Sequence, residues 1–169
     1  RLSTNNGLPK PKVAMVNSPV PNAFATGKSP KSSLVAVTTG ILDLLDNDEL
    51  EAVIGHELSH VRSRDVLVLT LASLFSTVAW YLVRFGLFGG LQARNRNTAG
   101  SSAIVLLVAI TTWVVSFLII RAISRYREFS ADRGGAIMTG KPDKLASALL
   151  KISGKIKVIP PKELENVQK

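Results

Sequence analysis

Ala52–Leu71, AVIGHELSHVRSRDVLVLTL, carries the only two histidines of the chain, His56 and His60, and from Val66 onward runs without a charge. Its first half reads as a helix. Asp46 is placed as an N-cap with Glu49 three residues on, a capping-box variant, and further acids in the opening turns suit the helix dipole. Leu50, Val53, Ile54, Leu58 and Val61 then recur at spacings of three and four, the stripe of a helix packed on a core. Residues four apart share a helix face, so the imidazoles of His56 and His60 can ligate one metal ion. Glu57, one step round, can take a proton from a water on that metal. This is the H-E-x-x-H pattern, and the chemistry it serves is zinc-assisted peptide hydrolysis.

A third ligand must come from elsewhere. The chain has no cysteine and no other histidine, so the ligand is Asp or Glu. Asp43, Asp46, Asp48, Glu49 and Glu51 belong to the same helix or its entry and cannot fold back onto its middle. Asp143, Glu163 and Glu165 sit in polar, solvated contexts. Asp65 lies just past the histidines and could orient an imidazole or form a salt bridge. Glu128 and Asp132 remain, four apart on a later helix. One could bind metal while the other orients an imidazole N–H.

The second half of the opening stretch begins an uncharged run, Val66–Val83, and a second uncharged run covers Thr98–Ile120. A membrane-crossing helix needs roughly 20 apolar residues, and both runs are apolar on every face. Spans are therefore expected over about 66–83 and 103–120, with Trp80 and Tyr81 as interfacial anchors and the Gly-rich, basic segment 84–102 as the turn between antiparallel helices. The alternative is a pair of core helices in a soluble domain, but a chain of 169 residues has little bulk with which to enclose two of them. A hairpin that crosses and returns brings Glu128 and Asp132 to the same side as the histidines. Arg62, Arg64, Arg121, Arg125, Arg127 and Arg133 flank that side, against Arg84, Arg94 and Arg96 in the connection. This bias expects the site on the cytoplasmic side of the cell membrane.

Upstream, Lys12 to Leu45 reads as short strands. KVAMVNS and SSLVAVTTG are rich in Val and Ala between turn residues, and PNAFATG reads as a short edge element. The fold class is thus α+β, with a small sheet beside the metal-binding helices. After the second run, RAISRYREFSADRGGAIMTG reads as a helix up to the glycines, and KPDKLASALLKISG as another with Gly154 as its stop. The formal charge of +9 suits lipid headgroups or water, and the basic clusters carry no nucleic-acid signature. The chain opens on Arg1 with no apolar leader, which suggests a piece of a longer protein.

NAFATG at Asn22–Gly27, TTGILDLLDNDELEAVIGHELSHVRSRD at Thr38–Asp65, the two apolar runs and SRYREFSADRGGA at Ser124–Ala136 together resemble the HtpX-type membrane zinc metalloproteases of the gluzincin class. The resemblance implies one zinc held by His56, His60 and Glu128, with Glu57 as general base and Asp132 orienting a ligand. It places Asn22, Ala23, Phe24 and Ala25 beside the cleft, where an edge strand could pair with an extended substrate. It also implies quality control by cleavage of damaged or misassembled membrane proteins. On this reading residues 1–150 form a metalloprotease domain with an inserted apolar hairpin at 66–120, followed by a truncated C-terminal tail at 151–169. The competing class is a non-catalytic membrane scaffold or adaptor with a structural metal site. Glu57 discriminates, since a structural site needs no unligated carboxylate beside its metal and is normally closed by a fourth protein ligand.

Overall fold

The computed structural model describes the backbone of residues 1–92 and 99–160; within its helices the side chains at 75, 79, 82, 83, 85–92, 99–106 and 109 lie outside the description. A short helix α1 (Leu2–Asn5) precedes strands β1 (Lys12–Val16), β2 (Ala23–Thr26) and β3 (Leu34–Thr38). Helices α2 (Thr39–Leu44), α3 (Asn47–Ser63), α4 (Asp65–Gln92), α5 (Ala99–Thr139) and α6 (Pro142–Val158) follow. The chain divides into two compact units, one of Arg1–Leu67 with Arg127–Lys169 and one of Val68–Tyr126.

The first unit holds the sheet, in the order β1-β3-β2, with β1 parallel and β2 antiparallel to the central β3. β3 is the apolar run LVAV closed by Thr38 and is buried along almost its whole length, as a central strand must be. Val37 meets Ile41 of α2, Ala52 and Val53 of α3, and Leu145 and Ala148 of α6 in the main core. A second cluster joins Val35, Leu58 and Met138. The α+β expectation holds.

Thr38 ends β3 and starts α2. Its buried hydroxyl donates to Val20 O at 2.8 Å and accepts from Asn22 N–H at 2.9 Å, so one side chain anchors the loop that delivers β2. α2 is an addition to the sequence reading, which takes this stretch as strand. α3 matches its expected start: Asp46 accepts from Glu49 N–H, and Glu49 reaches back to Asp46 N–H, completing the capping box. The acidic first turns of α3 also grip α6. Glu49, 2 % exposed, accepts from Lys151 Nζ and Ser147 Oγ at 2.7 Å each, Asp46 pairs with Lys144, and Asp48 and Glu51 share Lys141.

Two expected helix stops are overturned. α5 passes through Gly134 and Gly135 and ends at Thr139 before Gly140, whose φ of +68° suits a residue without Cβ. α6 passes Gly154 and ends at Val158.

The second unit consists of the apolar stretches of α4 and α5. Leu71, Leu74, Val78, Trp80, Trp113, Phe117, Leu118 and Ile119 are among its exposed side chains. Among the described residues, however, no helix is long and apolar enough to cross a membrane. The runs expected as spans at 66–83 and 103–120 are segments of longer helices, and several of their side chains fall outside the description. Of the connection expected at 84–102, the backbone is helical to Gln92 and from Ala99, and 93–98 lies outside the described residues.

Candidate active site

α3 supplies His56, Glu57 and His60, and the part of α5 in the first unit supplies Glu128 and Asp132. The two helices approach closely because three glycines line the contact. A Cβ at Gly135 would lie 2.7 Å from His56 N, one at Gly134 2.0 Å from Ser59 Oγ, and one at Gly55 2.6 Å from Thr139 Cγ2. At Gly135 the atom met is backbone, which no side-chain movement relieves, so this contact sets how near the α5 carboxylates come to the α3 imidazoles.

His56 Nε2 and His60 Nε2 are 3.1 Å apart. Glu128 Oε2 stands 3.8 Å from the first and 3.9 Å from the second. One ligand atom from each of the three residues lies within 4.8 Å of the others, and no fourth His, Cys, Asp or Glu joins them among the described residues. Donors about 2.0–2.1 Å from a tetrahedral ion stand roughly 3.3 Å apart, close to the spacing observed.

The far side of each imidazole is occupied. His60 Nδ1–H donates to Asp65 Oδ2 at 2.5 Å, and His56 Nδ1 lies 2.9 Å from Asp132 Oδ1, off the hydrogen-bond line. With carboxylates facing both Nδ1 atoms, both Nε2 atoms turn lone pairs toward one point, which also receives the Glu128 carboxylate. Three electron-rich donors so converged repel one another unless a proton or cation lies among them. Burial, reinforced by the neighbouring His60, holds the His56 pKa below its ordinary value and so keeps that lone pair available near neutral pH. The residues therefore fit a zinc ion.

Glu57 stands beside this cluster as a carboxylate outside the donor set. Its Oε2 accepts from the backbone N–H of Ala25 at 3.0 Å, which ties it to β2. Burial pushes its pKa above the ordinary value, partly opposed by His60 and the Ala25 N–H. Of the four β2 residues expected near the cleft, Ala25 touches Glu57 directly. Asn22 and Ala23 line an apolar cavity of about 180 Å³ that reaches His56 and Glu57, walled by Ile41, Val53, Leu145 and Leu149. Phe24 lines a separate cavity on the other side of Glu57. Thr38 N–H donates to Asn22 O, so the alternation of an antiparallel pair turns the N–H and C=O of Ala23 and Ala25 to the free edge of the sheet.

Two contributors escape the sequence reading. Arg127, counted in the sequence only among the basic residues flanking the expected hairpin, places Nε 3.1 Å from Asp65 Oδ2 and shares that buried carboxylate with His60. The available signal was its position: one residue before Glu128, in a stretch whose nearest acid upstream is Asp65 itself. The Ala25 amide left no side-chain signal at all.

An edge strand, an H-E-x-x-H helix and a carboxylate returned by a later helix form a two-histidine, one-carboxylate arrangement that could hold a metal ion. The chain belongs to Peptidase family M48, whose profile matches residues 1–166, in agreement with the resemblance read from the sequence. It is 57 % identical to Protease HtpX homolog 2 of Methanosarcina acetivorans over 99 % of this chain and 58 % of that protein. It is 52 % identical to Protease HtpX homolog of Moorella thermoacetica over 99 % of this chain and 57 % of that protein. With Protease HtpX homolog of Thermococcus kodakarensis the identity is 46 %, over 96 % of this chain and 57 % of that protein. The chain thus spans somewhat more than half the length of the curated relatives it matches. No solved structure matches it.

Proposed function

We propose that the chain is the catalytic part of a zinc-dependent membrane endopeptidase that hydrolyses misfolded or damaged membrane proteins. The observation that carries this is the convergence of His56, His60 and Glu128 with Glu57 set beside them. These three would hold the zinc. When bound, zinc supplies Lewis-acid polarisation of the scissile carbonyl and acidifies water near neutral pH. Glu57 takes a proton from the attacking water as its oxygen bonds to the carbonyl carbon, then passes that proton to the amine nitrogen as the C–N bond breaks. Asp65, held by Arg127, and Asp132 keep both imidazoles turned with Nε2 inward.

Substrate enters as an extended strand on the free edge of β2, hydrogen-bonding to Ala23 and Ala25. The Ala25 N–H is engaged by Glu57 in the free site, so strand pairing there competes with that contact. The cavity beyond Asn22 and Ala23, lined by Ile41, Val53, Leu145 and Leu149, takes an apolar substrate side chain. A set of three donors with Glu128 58 % exposed supports a catalytic over a structural metal, because one side of the site stays open.

The membrane part of the proposal rests on the charge-free runs at 66–83 and 103–120, and the quality-control role on the HtpX resemblance. Detergent-solubilised protein should hydrolyse casein, stop with chelator and recover with zinc. Zinc-loaded protein that leaves casein intact supports the scaffold reading instead. Single cysteines at Ser101 and Ser153, tested in intact cells with an impermeant thiol reagent, should label at Ser101 only if the site faces the cytoplasm. Equal labelling of both contradicts the hairpin.

A further inference from the structure

Two cavities flank Glu57 along β2. The apolar one lies against Pro21–Ala23 at the start of the strand. The other, about 120 Å³ and several times the room one water needs, lies against Phe24–Ser29 at its end, and its charged lining is of a different kind. Lys28, Arg64 and Arg127 face it, along with the carboxylates of Glu57 and Asp65. Both carboxylates are engaged, Asp65 by His60 and Arg127 and Glu57 by the Ala25 amide. Of the three cations only Arg127 is paired. Among the described residues Lys28 and Arg64 have no anionic partner.

Arg64 is held there by an uncommon backbone. It is the only non-glycine residue with positive φ among the described residues, at φ 55° and ψ 41°, and it caps α3 in the left-handed conformation. Glycine or asparagine takes that position at least cost, and a long side chain there carries local strain. This backbone turn also starts α4 at Asp65 and so delivers Asp65 to His60. Arg64 thus lines the cavity beside the candidate site in a backbone conformation costly for a long side chain, and its charge has no anionic partner among the described residues.

Resting on the endopeptidase reading above, we infer that this cavity is an anion-accepting substrate subsite in which Arg64 and Lys28 bind a carboxylate side chain of the substrate. A substrate strand antiparallel to β2 runs its amino-terminal side past Phe24–Ser29 and its carboxyl-terminal side past Pro21–Ala23. The subsite therefore selects Asp or Glu on the amino-terminal side of the cleaved bond, while the apolar cavity receives a side chain from the other side.

The test uses paired peptides differing only in Glu or Gln at each position amino-terminal to the scissile bond, with products mapped by mass spectrometry. The wild-type chain should favour one Glu peptide over its Gln twin by about tenfold in kcat/KM. Arg64→Asn, which tolerates positive φ, and Lys28→Gln, in an exposed turn, should each lower that ratio, and the double variant should bring it to about one. A wild-type ratio near one, or a preference confined to the carboxyl-terminal side, overturns the subsite. So does an unchanged ratio in both variants; weaker binding to phosphatidylglycerol vesicles would then assign the two cations to the bilayer surface. If no peptide is cleaved, the endopeptidase reading fails by itself. Peptide binding to Glu57→Gln, followed by fluorescence anisotropy, then decides the subsite: tighter binding of the Glu peptide supports it and equal binding overturns it.

Discussion

Replacing Gly135 by alanine should separate the two halves of the site without touching a ligand. The new Cβ would lie 2.7 Å from His56 N and 2.9 Å from His56 Cα. Both are backbone atoms, so no rotamer change relieves the contact. α3 and α5 must part by about 0.7 Å to restore ordinary van der Waals distance, an overpacking that costs about 1–3 kcal/mol. Alanine regains about 1 kcal/mol of helix propensity, leaving a net loss of about 0–2 kcal/mol. The backbone that moves belongs to His56, so zinc affinity should fall by about tenfold or more. Gly154 provides the control, being a helix-interior glycine whose added Cβ meets nothing within 4 Å. Gly154→Ala should stabilise by about 0.5–1 kcal/mol and leave zinc affinity alone. Urea midpoints and chelator competition read both quantities. Equal shifts in the two variants, or wild-type zinc affinity in Gly135→Ala, would refute the glycine-mediated approach of α3 and α5.

Asp65→Asn and Asp132→Asn should each retain zinc but weaken it by about 10- to 100-fold, because each removes the carboxylate that fixes an imidazole; chelator titration measures this, and wild-type affinity in either would reduce that residue to packing. Lys151, with help from Ser147 and the Asp46 N–H, holds the Glu49 carboxyl below its ordinary 4.5. A depressed pKa gives stability that is complete above the unfolded value and lost as pH falls through the folded one, so urea midpoints should drop below about pH 4.5 in the wild type. Glu49→Gln should flatten that acid limb while lowering the midpoint at neutral pH, and an unaltered acid limb would exclude Glu49 as its source.

The parts of this protein most legible in sequence are those decided locally. The Asp46–Glu49 capping box and the apolar stripe from Leu50 to Val61 specify α3 within one turn of its true ends, because capping and amphipathicity act over a few residues. Glu128 and Asp132 emerge from exclusion and spacing, yet nothing in the sequence states how near they come to α3. The glycines mislead in that respect. Gly134 and Gly135 read as a stop, since glycine is poor in an isolated helix, and their use is visible only against the α3 backbone. α2 escapes notice because its start depends on Thr38, whose hydroxyl serves strand, loop and helix at once. The Ala25–Glu57 contact joins a main-chain N–H to a side-chain carboxylate across 32 positions, and the residue type at the donor carries no trace of it.

The assignment of a zinc site with a separate proton acceptor is tested most directly by measuring bound zinc and casein hydrolysis on the same preparations of wild type, Glu57→Gln and Glu128→Ala. The account predicts one zinc per chain with activity in the wild type, full zinc with no hydrolysis in Glu57→Gln, and loss of zinc in Glu128→Ala. Zinc lost from Glu57→Gln, or fully retained in Glu128→Ala, would contradict it.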